Sequence, residues 1–455
     1  MHADLVVENC TIVTTEGRTG PDAGLAVTDG KIASIGTGDA LPDAETTVDA
    51  DGGVLVPGIV DTHIHNRSPG YEYKEDWETA TRAAAAGGVT SVVGMPNTDP
   101  VVDRPEHLRR KFDRGEENAL VDFQSYAVLT PDNLDQIRPL AEAGVAGYKV
   151  FLGTYIEELE PPSDGQLHEA MSEIASLDRR LGAHTENREI IAHYREALQQ
   201  EGRDEPLDYA RSRPPVAEEE GVSRVTTLAW DTGCPLHIFQ LSTGRAAAIV
   251  RDAKRDDVDV TAETTPHYLW FTEAAMEDKG SIACIQPPLR SAEERASLWE
   301  IGIDGGAIDC IATDHSPHTD EEQGLTESDP SIWDVSTGFV GLESEVPALL
   351  TFVDQGRLPL ERWVELHSTR PAKTWGMYPE KGSLQVGTDA DFTIVDPDVE
   401  WTLDRRDLHS KNTATPFDGE RFVGKATHTC VRGKLVYEDG EVVGTPGYGR
   451  QIRVD

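Results

Sequence analysis

Basic residues are what this 455-residue chain has least of: 41 lysines and arginines stand against 82 aspartates and glutamates, a formal net charge of −41. No basic patch or stripe appears, which argues against nucleic acid as a partner. Cysteines are few and scattered: Cys10, Cys234, Cys284, Cys310 and Cys430 form no CxxC pair. They read as reduced core residues, not a disulfide framework or a zinc cluster. No signal peptide opens the chain and no apolar run is long enough to span a bilayer, so the expectation is a cytoplasmic protein without a membrane partner. The acids are dispersed (Asp103, Glu106, Asp113, Glu116, Glu117) and do not gather into a disordered tail. In dilute buffer such a charge opposes compactness, whereas at molar salt the Debye length falls to ~3 Å and the repulsion is largely screened. The composition is that expected of a halophilic protein from a salt-accumulating cell.

What is present is an alternation. Residues 1–53 read as short strands separated by turns, and the same texture returns at 386–455 in DADFTIVDP and THTCVRGKLVYEDGEVV. Two all-β ends around a different middle predict one small β-sandwich assembled from both termini. Between them, residues 54–385 alternate eight apolar runs with helix-like stretches such as EDWETATRAAAA, GQLHEAMSEIASL and GRAAAIVRDAK. The runs are VLVPGIVDTHIH, VTSVVGMPNT, VDFQSYAVLT, VAGYKVFLGT, RLGAHTEN, PLHIFQLST, VDVTAETTPH and AIDCIATDH. That number and order predict an α/β fold, a TIM-like (β/α)8 barrel.

Each run ends in polar residues, and barrel enzymes place their chemistry at the C-terminal ends of the strands. The first ends with His63 and His65, which project to one side of an extended strand and can reach one ion, with Asp61 beside them. Alone, an HxH pair is ordinary, and a strand-end lysine such as Lys149 by default snorkels to solvent. A desolvated Lys149 could instead stay neutral enough to add carbon dioxide and offer a carbamate to a metal. His184 ends the fifth run. Asp314 ends the eighth, with His315 and His318 following, where a carboxylate can bind metal and move protons. Five such residues at successive strand ends point to a metal site.

Together with AAAAGGVTSVVGMPNT, KVF, AETTPHYL, PPLR, IDCIATDHSPH and TGFVGLESEVPALL, these residues make the chain resemble the cyclic-amide hydrolases of the amidohydrolase superfamily, which include dihydroorotase, allantoinase and hydantoinase. The resemblance covers nearly the whole chain. It implies one or two divalent ions, zinc by expectation, held by His63, His65, His184 and Asp314. It also implies a bridging carbamylated Lys149, with Asp314 as general base, and a homo-oligomer, dimer or tetramer.

HNRSPGYEYKED is similar to the dihydroorotase form, in which the arginine two after HxH grips a substrate carboxylate; here that is Arg67, and a guanidinium fork suits a carboxylate. Asn97 and His318 match further positions that hold the carboxylate. The expected activity is dihydroorotase, interconverting L-dihydroorotate and N-carbamoyl-L-aspartate in pyrimidine synthesis. GAHTEN resembles the allantoinase and hydantoinase form, and Gln286 stands where many dihydroorotases carry asparagine, so those two activities remain alternatives. Gln240 stands where the family normally has the histidine of the second metal, and a glutamine oxygen is a poorer zinc donor. His237, three residues away, lies on the other face of its strand. A non-catalytic scaffold is the rival of another class. No role is assigned to Thr154 or Tyr155.

Overall fold

The computed structural model describes residues 2–153, 159–327 and 330–454, so Thr154 and Tyr155 lie outside the described residues. All eight apolar runs contain barrel strands: β1 Ile59–Ile64, β2 Val89–Gly94, β3 Asp122–Ser125, β4 Tyr148–Phe151, β5 Leu181–His184, β6 Leu236–Ile238, β7 Val260–Thr264 and β8 Cys310–Ile311. Each pairs in parallel with the next. Val92 faces Phe123, Phe151 faces His184, and Thr264 faces Ile311. β3 continues past Tyr126 as Ala127–Val128, and that continuation carries the pairing to β4. A parallel bridge between Ile64 and His315, with the His65 amide donating to the His315 carbonyl at 2.7 Å, closes the ring. Apart from half-buried Thr261 on β7, the strands are buried along their length, as in parallel sheets covered by helices.

The run VLVPGIVDTHIH divides in two. Val54–Pro57 pairs with Thr11 and Ile12 on one side and with Phe392–Val395 on the other, and only after Gly58 does the chain enter the barrel. A Cβ at Gly58 would collide with the side chains of Thr90 and Asp391, so only glycine lets the backbone pass there. Val54–Pro57 thereby joins strands of both termini in one ten-stranded sheet: Ala3–Thr14 lies on one side of it, Phe392–Thr402, Arg421–Val431 and Lys434–Glu438 on the other. Leu5, Val7, Leu25, Val27, Leu55, Phe392, Ile394 and Cys430 form that sheet's own core. All five cysteines are buried and free.

A buried ionic knot ties this sheet to the barrel. Lys381 Nζ lies 2.5 Å from Asp122 Oδ2 on β3, 2.6 Å from Asp391 Oδ2 and 3.0 Å from Asp389 Oδ2. The three carboxylates are close enough together to bind a cation, and Lys381 lies among them, with Arg432 also on Asp122 and Lys31 on Asp389. No helix among the described residues is long and apolar enough to cross a membrane.

Candidate active site

At the C-terminal mouth of the barrel lies a cleft of about 620 Å³, lined by His65, Arg67, Asn97, His184, Gln240, Gln286, Asp314 and His318 among others. Backbone conformation aims several of these. Arg67, Gln240 and Asp314 follow β1, β6 and β8, and each has a positive φ, of 58°, 56° and 50°. That left-handed region is costly for residues with a Cβ, and its recurrence at strand ends where the side chains converge is the pattern of functional strain.

His63, His65 and Asp314 offer donor atoms within 4.8 Å of one another. His63 Nδ1 lies 2.5 Å from Glu263 Oε1, and His65 Nδ1 lies 2.8 Å from Asn97 Oδ1. The Asn97 oxygen can only accept and Glu263 in its ionised form does the same, so both Nδ1 atoms then carry the hydrogen and both Nε2 atoms present lone pairs. Those lone pairs each stand 3.3 Å from the same carboxylate oxygen, Asp314 Oδ1. Burial holds both imidazoles neutral, His65 pushed down to about 4 and His63 well below its ordinary range. Burial works to raise Asp314 as well, yet its carboxyl is held well below the usual carboxylate range and stays ionised. Two lone pairs and an anion converging in a dry site fit a divalent cation, with room left for a non-protein ligand.

His184 is arranged the same way. Its Nε2 lies 3.0 Å from Glu186 Oε2, itself 2.5 Å from the Arg213 guanidinium, and its Nδ1 turns inward to Gln240 Oε1 at 2.8 Å. Gln240 Nε2 donates to Asp314 Oδ2 at 2.5 Å. Lys149 is fully buried, its Nζ has no hydrogen-bond partner among the described residues, and it lies 3.7 Å from the Phe239 ring centroid. Desolvation pulls its pKa down to about 7, so the neutral amine is accessible near neutrality.

Arg67 Nη2 lies 3.0 Å from His318 Nε2, and its Nε donates to the Pro317 carbonyl. Among the described residues no carboxylate forms an ion pair with Arg67, and burial lowers its pKa to about 10. His318 is pushed down to about 3 by burial, with Arg67 adding to the effect. Asn97, read from the sequence as a carboxylate holder, spends its oxygen on His65 and leaves only its amide nitrogen for a substrate. Gln286 lines the cleft and donates to Thr337 Oγ1 at 2.9 Å.

Other residues are drawn away from the centre. Asp61 accepts from the His63 and Thr313 amides and the Thr313 hydroxyl, tying β1 to the end of β8. His315 takes the Gly341 amide on Nδ1 and faces Glu75 on the other side. His237 does not lie on the far face as expected: it sits between Thr261 and Glu263 and packs on Phe239, sharing Glu263 with His63 without joining the metal cluster. Sequence reasoning missed Glu263, Glu186 and Arg213; the one signal for Glu263 was a lone carboxylate in the apolar run VDVTAETTPH.

A profile of the amidohydrolase family matches residues 54–436. The chain is 37% identical to an allantoinase of Deinococcus radiodurans over 100% of this chain and 99% of that one. It is 36% identical to a dihydroorotase of Geobacter sp. over 92% of this chain and 96% of that one. The solved structure of an L-hydantoinase (dihydropyrimidinase) from Arthrobacter aurescens superposes with a TM-score of 0.95 at 34% identity, covering 99% of this chain and all of that one.

Proposed function

The chain belongs to the amidohydrolase family, among its hydrolases of cyclic amides, and from that premise we propose that its ring substrate carries a carboxylate, with dihydroorotate the best fit. The observation that carries this reading is Arg67. A buried guanidinium with no carboxylate ion pair among the described residues is costly unless an anion reaches it. A substrate carboxylate docked on Arg67, with the Asn97 amide nitrogen and His318 beside it, supplies that anion and fixes the ring.

The cluster of His63, His65 and Asp314, with His184, Gln240 and a carbamylated Lys149, would hold the metal. A bound divalent cation would polarise the ring carbonyl and lower the pKa of water to roughly 7. Lys149 Nζ adds carbon dioxide as the neutral amine and releases one proton. Asp314 takes a proton from the attacking water as its oxygen bonds to the ring carbonyl carbon. Asp314 then returns the proton to the ring nitrogen as the carbon–nitrogen bond breaks, giving the carbamoyl amino acid. Glu263 and Asn97 keep the His63 and His65 rings oriented throughout.

A neutral ring, as in an allantoinase or hydantoinase, is the second reading, and Phe151, Leu159, Ile191, Ile332 and Trp333 in the cleft wall favour the hydantoin with an apolar substituent. The two separate on hydrolysis of L-dihydroorotate, allantoin and a 5-substituted hydantoin by metal-loaded protein in molar potassium chloride. Dihydroorotate should be the preferred substrate. Removing one partner of a buried ion pair costs roughly 2–5 kcal/mol, so Arg67→Ala should lower kcat/KM for dihydroorotate by at least ~30-fold. Turnover confined to neutral rings and indifferent to Arg67→Ala would replace this reading by the second.

A further inference from the structure

The inner partners of His63, His65 and His184 are not alike. His63 and His65 both aim at Asp314 Oδ1, a carboxylate oxygen. His184 Nδ1 aims at Gln240 Oε1, a neutral amide oxygen, at 2.8 Å. With Glu186 accepting the hydrogen on His184 Nε2, the tautomer this bond selects has its lone pair at Nδ1, and the amide oxygen facing it has another. Turning the amide over gives no relief, since Oε1 would then stand against Asp314 Oδ2, where Nε2 now lies at 2.5 Å. Two acceptors facing each other in a buried site are unfavourable unless a cation lies between them. The Asp314 carboxylate is divided accordingly, with Oδ1 toward the histidine pair and Oδ2 toward the Gln240 amide.

We infer that this chain has two unequal metal positions, a tight one on His63, His65 and Asp314 and a second, readily lost one on His184 Nδ1 and Gln240 Oε1. The inference rests on the metal-dependent reading above and adds an order of affinity to it. Imidazole and carboxylate together bind zinc well, whereas an amide oxygen is a harder, uncharged donor that suits zinc poorly. Gln240 also gives its nitrogen to Asp314 Oδ2, so the second position has only a partial claim on that carboxylate.

The test is zinc content of the full chain, stripped with chelator, reloaded with bicarbonate present in molar potassium chloride, and measured by mass spectrometry without substrate. Wild type should keep about one zinc per chain after passage over chelating resin and about two while free zinc stays near ~0.1 mM, with at least ~10-fold between the two dissociation constants. Gln240→His should keep about two under both conditions, and Gln240→Ala about one under both. Circular dichroism establishes that each variant is folded, and the Ala variant keeps the test decisive if the His variant does not fold. Two zincs held alike by wild type, no second zinc at high free zinc, or variants that repeat the wild-type pattern would overturn the inference. Metal content is read without turnover, so failure of the cyclic-amide reading would show separately, as loaded protein inert on all three rings.

Discussion

Glu263 shows how much of the site is carried by residues that touch no substrate. It is fully buried on β7, with one oxygen 2.5 Å from His63 Nδ1 and the other 3.2 Å from His237 Nε2. Burial pushes its pKa well above the carboxylate range, with Lys149 acting in the opposite sense. Its task is to fix the tautomer and the angle of His63, and such partners of metal-ligating histidines are typically worth 10–100-fold in metal affinity. Glu263→Gln should therefore weaken metal binding by ~10–100-fold in a chelator competition, with the far-ultraviolet spectrum unchanged. An unchanged affinity would reduce Glu263 to a packing residue. The sequence displays the ligands more readily than their supports. His63, His65 and Asp314 stand at strand ends, where polarity interrupts an apolar run, whereas Glu263 gains meaning only once closure of the barrel brings β7 near β1. Asn97 is the intermediate case: its place in the cleft is legible from MPNT, but its bond to His65 depends on a distance that no linear pattern encodes.

At the scale of elements, the periodicities are explicit where burial is one-sided or complete and silent where the backbone turns. All eight strands lie inside the runs read from the sequence, and EDWETATRAAAA folds as α1 Trp77–Ala86, with Asp76 capping its first turn. The strand Val54–Pro57 was hidden, because apolar residues continue across Gly58 and hydrophobicity alone does not say which sheet receives them. The positive φ angles of Arg67, Gln240 and Asp314 were hidden too, since residues with a Cβ give no warning of a left-handed turn. α2 Pro105–Asn118 hides a lysine in plain view: Lys111 shares the inner face with Leu108, Phe112 and Gly115, and Nζ donates to Asn66 Oδ1 at 3.0 Å and to the Met95 carbonyl at 2.6 Å. Burial, with Arg67 adding repulsion, lowers its pKa to about 7 from the ordinary 10.5. Between those two values the unfolded chain binds the proton and the folded chain does not, so stability rises with pH across that window. The slope from one such lysine is at most ~1.4 kcal/mol per pH unit. Urea unfolding at pH 7.5 and 9.5 should show that rise in wild type and a smaller one in Lys111→Met. Equal slopes would mean that the ammonium stays charged inside the fold.

For the molecule as a whole the governing quantity is the 41-charge excess of acids, because it cannot be neutralised from within. Even where a cation is present it is shared: Arg109 alone serves Asp113 at 2.6 Å and Glu116 at 2.8 Å, all three of them exposed. Exposed pairs of this kind contribute ~0–1 kcal/mol each, too little to offset the mutual repulsion of the remaining carboxylates. That repulsion is long-ranged in dilute buffer, where the Debye length is ~10 Å, and short-ranged at molar salt, where it is ~3 Å. The buried Lys381 knot lies out of reach of this screening, so the junction between barrel and terminal sheet should respond little to salt while the surface responds strongly. Two measurements follow from this difference. The midpoint of thermal unfolding should rise by several degrees between ~0.1 M and ~2 M potassium chloride. An uncharged excluded solute such as sucrose should stabilise through exclusion alone and should not reproduce the steep rise over the first few hundred millimolar of salt. The same potential surrounds the cleft, and it works against the docking of an anionic ring at low salt. KM for dihydroorotate should therefore fall as potassium chloride is raised through the range in which the fold is already stable, while KM for a neutral hydantoin stays nearly constant. A KM for dihydroorotate that is flat in salt would mean that Arg67 and Lys74, both lining the cleft, shield it from the charge of the rest of the surface.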